Sequence, residues 1–107
     1  MGGFLKEVAR RLARPLLRSL LLGAPRLEEL EVLLPPDLAG SLGRIAVFFE
    51  SEVTTVTREG RVACRLCGRV SPSRRGLFQH LLRTHSTEIV AVLEDILEEE
   101  ARRLGSM

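Results

Sequence analysis

The 107-residue chain contains no asparagine, tryptophan or tyrosine, a single glutamine (Gln79) and a single lysine (Lys6). With four phenylalanines as its only aromatic rings, it is poorly equipped to stack unpaired bases, which argues against a single-strand binding platform. Scarce amide side chains beside abundant Glu and Arg are expected of a thermophile protein. A GC-rich genome, which also inflates Arg, Leu, Gly and Ala, is the competing reading, and the thermophile origin is the one expected. Long apolar runs are also missing. A spanning helix needs about 20 consecutive apolar residues, and the best stretch, Leu16 to Ala24, is short and carries Arg18. No integral membrane insertion is expected, and the chain reads as intracellular, in cytoplasm, nucleoid or nucleus. Met1 to Leu22 is Arg-rich and almost acid-free, superficially like an organellar transit peptide, and is taken as part of the mature chain.

What is present is mostly leucine and arginine. Twenty leucines favour helix over strand, and fifteen of the sixteen basic residues are Arg. The net charge of +2 hides strong segregation. Residues 1–26 carry six basic groups against one acidic, and residues 27–59 carry two against seven. Residues 60–85 carry six Arg and no acid, and residues 86–107 carry two Arg against six acids. Each block presents its own local field.

Apolar spacing predicts the helices. Phe4, Leu5, Val8, Leu12, Leu16 and Leu20 recur at helical intervals, with Lys6, Arg10, Arg11, Arg14 and Arg18 between them. Pro15 is expected to kink or divide this helix, and Gly23 with Pro25 to end it. A short helix is expected from Arg26 to Leu34, stopped by Pro35-Pro36. Asp37 is a candidate N-cap for a third helix, whose stripe runs through Leu38, Leu42, Ile45, Phe49, Val53 and Val56. A strand through Ile45–Phe49 and Val53–Thr57 is the competing possibility. From Ser86 or Thr87 a last helix runs to about Leu104, burying Ile89, Val90, Leu93, Ile96, Leu97 and Ala101. The acidic run Glu98-Glu99-Glu100 is expected to face solvent or to pair with the basic N-terminal helix.

All cysteines and histidines fall in the acid-free basic block: Cys64 and Cys67 with two residues between them, then His80 after twelve more, then His85 after four. Zinc takes four thiolate or imidazole ligands at tetrahedral corners. A C-x-x-C turn supplies two thiolates from one knuckle, and two histidines about one helical turn apart supply the others. A disulfide with two unrelated histidines is the competing reading; the short gap in an intracellular-type chain argues against it. Gly68 points to a knuckle turn rather than to a helix-opening redox dithiol. Four protein ligands close the coordination sphere, so one structural Zn2+ is expected, not a catalytic one.

On these residues the segment resembles a C2H2 zinc finger of the ββα type, over about residues 60–86. Val62, two before the first Cys, and Leu77, three before the first His, match the small core of that family. The family places a large aromatic residue where this chain has Ser71, and Val70 is expected to substitute through a shifted turn. The resemblance implies base reading from Ser73, Arg75, Gly76 and Gln79, with Arg75 suited to guanine and Gln79 to adenine. It leaves Arg61, Arg65, Arg69, Arg74 and Arg83 as phosphate contacts. One finger reads only about three base pairs in this mode, so a dimer, a second basic segment or a partner has to contribute.

The expected fold is mainly α, a helical domain with one embedded ββα C2H2 zinc finger. Residues 1–59 form an N-terminal helical region, 60–86 the finger, and 87–107 a C-terminal helix packing on the rest. The expected function is binding of nucleic acid, duplex DNA above RNA, in transcription or chromatin. The rival is a protein-interaction or assembly subunit, with the finger as a staple and the leucine-rich helices holding a protein partner or a second copy. No phosphate loop or nucleophile–base pair is visible, and no enzyme activity is expected.

Overall fold

The computed structural model describes residues 2–105. The chain is mainly helical, with one small antiparallel two-stranded sheet. Helix α1 spans Gly2–Leu22 and leads through a 3-10 segment, Leu27–Leu33, to the short α2, Pro36–Ala39. Helix α3 (Leu42–Val53) runs directly into strand β1 (Thr54–Val56), which pairs with β2 (Val62–Cys64). Helices α4 (Arg74–Thr84) and α5 (Ser86–Gly105) follow, separated by His85 alone.

Helix α1 is not divided at Pro15. Proline removes one helical hydrogen bond and crowds the preceding turn, but Leu12, Ala13, Leu16 and Leu17 are buried on both sides of it. Burying a leucine is worth about 1.5–3 kcal/mol, so packing outweighs the local penalty. The buried face also differs from the expected stripe. It consists of two adjacent rows, Val8-Leu12-Leu16 and Ala9-Ala13-Leu17-Leu21, whereas Phe4 is exposed. At the C-terminus Gly23 adopts φ +86° and its N–H reaches Ser19 O at 3.0 Å. That left-handed cap is the one conformation a side chain would oppose.

The helix expected from Asp37 begins differently. Pro36 takes the first position of α2, Leu38 N–H bonds to Pro35 O, and Asp37 lies inside the turn rather than capping it. Proline suits a first helical position because its missing N–H has no partner there. After Gly40 and Ser41 the chain re-enters helix, and Leu38, Leu42, Ile45, Phe49 and Val53 are all buried as their spacing predicts. The stripe stops one step early. Thr54, Thr55 and Val56 are strand, and Val56 is exposed. The β-branched run Val53–Thr57 therefore splits between the two readings its sequence allows.

Helices α1, α3 and α5 pack around one apolar cluster that includes Leu12, Leu16, Phe49, Leu93 and Leu97, and Cys64, Leu77, Phe78 and Leu81 belong to the same cluster. Helix α5 runs antiparallel to α3, with Arg44 near Glu100 and Phe48 beside Val92 and Ile96. Glu100 corrects the expectation for the acidic run: it is buried, and its partners are Arg44 on α3 and Arg103 on its own helix, not α1. Among the described residues, no helix is long and apolar enough to cross a membrane.

Candidate metal centre and the basic face beside it

The β1–β2 hairpin places the first cysteine. Its register sets Thr54 opposite Cys64 and Val56 opposite Val62. The loop closes through Gly60 N–H to Thr57 O at 2.9 Å, with Gly60 at φ +83°. Thr57 N–H also bonds to Arg61 O at 2.8 Å, so the five residues between the strands narrow to a three-residue tip, 58–60, whose final left-handed glycine lets antiparallel strands join without splaying. Residues 62–64 meet the segment after the knuckle at one isolated bridge, Ala63 to Val70. Regular pairing goes instead to β1, which lies outside the expected 60–86 segment.

The knuckle follows. Gly68 N–H bonds to Cys64 O and Cys64 N–H to Arg69 O, both at 2.8 Å, which folds Cys67 back beside Cys64. Gly68 adopts φ +83°, the positive value this turn requires. Val70 does not take the place of the family's aromatic residue: it is exposed, and Ser71 is buried in its stead, its N–H bonded to Val62 O at 2.9 Å. The apolar support comes from Leu77, Phe78 and Leu81 on α4, which are continuous with the helical core. Ser73 caps α4 by accepting the Gly76 N–H at 3.0 Å. His80 then projects from the helix, and His85 occupies its C-terminal cap, with N–H to Leu81 O.

The four side chains meet. One ligand atom from each of Cys64, Cys67, His80 and His85 lies within 4.8 Å of all the others, so the group can hold a metal ion. Cys67 Sγ is 3.3 Å from His80 Nε2, and the two imidazole rings stand edge to face at 5.0 Å. His85 supplies the strongest sign that a ligand belongs here. Its Nδ1 donates to Glu88 Oε1 at 2.5 Å, while its Nε2 is buried without a partner. A buried, unpaired polar atom costs about 1–3 kcal/mol, and an ion at the cluster would satisfy it. In the neutral ring this donation to Glu88 leaves the lone pair on Nε2, the usual arrangement behind a metal-bound histidine.

Local electrostatics favour thiolate at the exposed cysteine. The Arg69 backbone N–H, then His85 and His80, hold the Cys67 thiol down to about 6. Burial pushes the Cys64 thiol up. The hydrogen bond to Glu88 raises His85.

The residues expected to touch nucleic acid divide into two groups. Arg74 reaches across to α1, donating from Nε to Leu21 O and from Nη2 to Leu20 O, both at 2.8 Å. It satisfies carbonyls that the last turn of α1 leaves unpaired, at the negative end of the helix dipole. Arg65 likewise donates from Nη1 to Ser51 O in the last turn of α3 at 3.0 Å, and its N–H to Val53 O. These two arginines tie the metal centre to the bundle. Arg61, Arg69, Arg75, Gln79 and Arg83 are exposed. Arg75, Gln79 and Arg83 follow one another at four-residue spacing along the outer face of α4. Arg69, Gln79 and Arg83 line a shallow groove of about 300 Å3 beside His80, with no acidic residue in its wall. Arg61 stands apart on the hairpin loop.

Sequence reasoning passed over Glu88, although His-x-x-Glu at a helix start was visible as a pair one turn apart. No family model, curated protein or solved structure matches the chain.

Proposed function

We propose that the chain is a zinc-dependent nucleic-acid-binding protein of the C2H2 finger type, acting on duplex DNA in transcription or chromatin. Two thiolates and two imidazoles are a donor set suited to Zn2+. Bound there, the ion supplies a structural tie, with four protein ligands and no open position for chemistry. Cys64 and Cys67 anchor it from the knuckle, and His80 and His85 from the end of α4. This fixes the orientation of α4, and with it the outer stripe Arg75-Gln79-Arg83 and the neighbouring Arg69. The observation that carries the proposal is this acid-free basic stripe on the helix that also bears His80 and is capped by His85, two of the four candidate ligands. Arginines so placed bind phosphate by charge and release counterions, while Gln79 and Arg75 have the donor patterns for adenine and guanine edges.

A second reading is favoured by one specific observation. Arg65 and Arg74, two of the six arginines in the basic block, serve the fold by capping α3 and α1. In an assembly subunit the metal centre would be a staple, and the helices would carry the function.

Anisotropy of labelled duplex DNA, titrated with zinc-loaded protein at several salt concentrations, separates the two. DNA binding requires affinity to fall steeply with salt, to be lost on chelation, and to drop at least tenfold in Arg75→Glu with Arg83→Glu. Unchanged binding in that double variant, or none in the parent, would favour the assembly subunit.

A further inference from the structure

The bundle carries a second feature, on α3 and α5. A groove of about 490 Å3 runs between them. Its floor is Phe48, Val92 and Ile96, and its edges carry Glu52, Asp95 and Glu99. Phe48 is 43% exposed, although it lies on a helix otherwise packed against the core. It is not loose. Arg44 sits over its ring at 5.0 Å and is itself held by Glu100 at 3.1 Å. Glu100 is only 5% exposed and is gripped from its other side by Arg103. A buried carboxylate thus fixes two arginines at one end of the groove and leaves the acidic edge at the other. Among the described residues Glu52 is in no ion pair, while Glu99 pairs with Arg102 at 2.6 Å on the exposed side and the charge of Asp95 acts on the same arginine.

The complementary surface lies on the same chain. The solvent-facing side of α1 exposes Arg11, Arg14 and Arg18, with Glu7 paired to Arg10 and Arg11 among them and Phe4 63% exposed at the N-terminal end, whereas Lys6 and Arg10 lie along the seam with α5 beside Glu94. Its inner face is spent on the core against α5 and α3. Within one molecule, then, the basic face of α1 points away from the acidic groove. Two copies can bring them together.

We propose that the α3–α5 groove receives helix α1 of a second copy. Phe4 enters beside Phe48, and Arg11, Arg14 and Arg18, which follow it on the same side of the helix, run along the acidic edge of Glu52, Asp95 and Glu99. An aromatic anchor in an apolar floor, ringed by opposite charges, is the usual composition of a self-association hot spot. Because helix and groove are different surfaces, the contact is heterologous: it closes as a reciprocal pair or continues head to tail. Either assembly presents more than one metal-ordered basic helix, which a module reading only about three base pairs needs for avidity. The inference does not depend on the metal, since no residue in it belongs to the cluster.

Sedimentation equilibrium of the zinc-loaded full chain, over a wide concentration range at low and high salt, tests it. The expected average mass exceeds the 11.9 kDa of one chain at low salt and falls towards it as salt rises. Phe48→Ser, Asp95→Lys with Glu52→Lys, and Arg11→Glu with Arg14→Glu should each be monomeric while keeping the parent's helical content. Mixing the two charge-reversed double variants should restore association. A chain that is monomeric throughout, or association that these variants leave intact, overturns the proposal. So does a monomeric chain that captures a labelled leucine–lysine helical peptide in a Phe48-dependent way, because the occupant would then be another protein's basic helix.

Discussion

Two buried ionisable side chains mark two regions of this molecule that are held together differently. Glu100, in the helical bundle, has both oxygens engaged by Arg44 and Arg103. His85, in the metal centre, has Nδ1 engaged by Glu88 and Nε2 buried without a hydrogen bond, with Cys67 near enough to act on the ring. The bundle balances its own polar groups and closes around leucine. The centre leaves a buried nitrogen unsatisfied. A region that is self-sufficient should survive changes that dismantle one built around a ligand, although the two share an apolar cluster through Leu77 and Leu81.

The largest effect should come from removing the metal ligands. Structural zinc contributes on the order of 10 kcal/mol to folding small metal modules. Chelation, or Cys64→Ser, is therefore expected to abolish amide protection across residues 62–72 in hydrogen exchange. Protection around Leu93 and Leu97 should be retained. Loss of protection in both regions together would show that the bundle depends on the centre after all.

Glu88 offers a finer cut on the same side. Removing a carboxylate behind a metal-bound histidine costs about 10–100-fold in affinity. Glu88→Ala should weaken zinc binding by that much in competition against a chromophoric chelator. Glu88→Gln, which keeps an acceptor for Nδ1, should recover part of the loss. Equal affinity in all three proteins would make the contact incidental.

On the bundle side, Glu100 sets a pH dependence. Hydrogen bonds from Arg103, opposed by burial and helped by Ser41 and the charge of Arg44, hold its carboxyl from the ordinary 4.5 down to about 2. A lowered carboxyl stabilises the fold above the unfolded value and loses that contribution as pH falls through the folded one. With its arginines half exposed, the contribution is about 2 kcal/mol. In urea unfolding, the difference between the parent and Glu100→Gln should be full above pH 4.5 and vanish towards pH 2. A constant difference across that window would assign the effect to packing.

The smallest expected effect lies at the seam. Arg74→Ala removes two hydrogen bonds to the end of α1, worth about 1 kcal/mol of stability. Zinc affinity should not change, because Arg74 touches no ligand. A large loss of zinc affinity would mean that α1 helps to position the centre.

Much of this was legible in the sequence, for identifiable reasons. The spacing Leu38-Leu42-Ile45-Phe49-Val53 specifies a buried helix face, and the final helix follows from Ile89, Leu93 and Leu97 in the same way. The four ligands were legible because thiolate and imidazole at that spacing have few other uses. What was not legible depends on contacts distant in sequence. Val56 continues a helical period, yet pairing with Val62 makes it strand. Pro15 sits in a continuous helix because residues far along the chain pack on both sides of it. Arg65 and Arg74 look like any others in a basic block until the ends of α3 and α1 arrive beside them. Glu100 reads as part of a solvent-facing acidic run, and only the fold brings Arg44 within 3.1 Å.

The most direct test of the metal centre is a cobalt titration of the reduced chain, followed by its visible d–d and thiolate charge-transfer absorption and displaced with zinc. One equivalent of Co2+ should give the intense bands of a tetrahedral site with two thiolates and two imidazoles. Zinc should bleach them, and Cys64→Ser and His85→Ala should each abolish or reshape them. Weak octahedral bands, or a spectrum that either substitution leaves unchanged, would contradict a site built from Cys64, Cys67, His80 and His85.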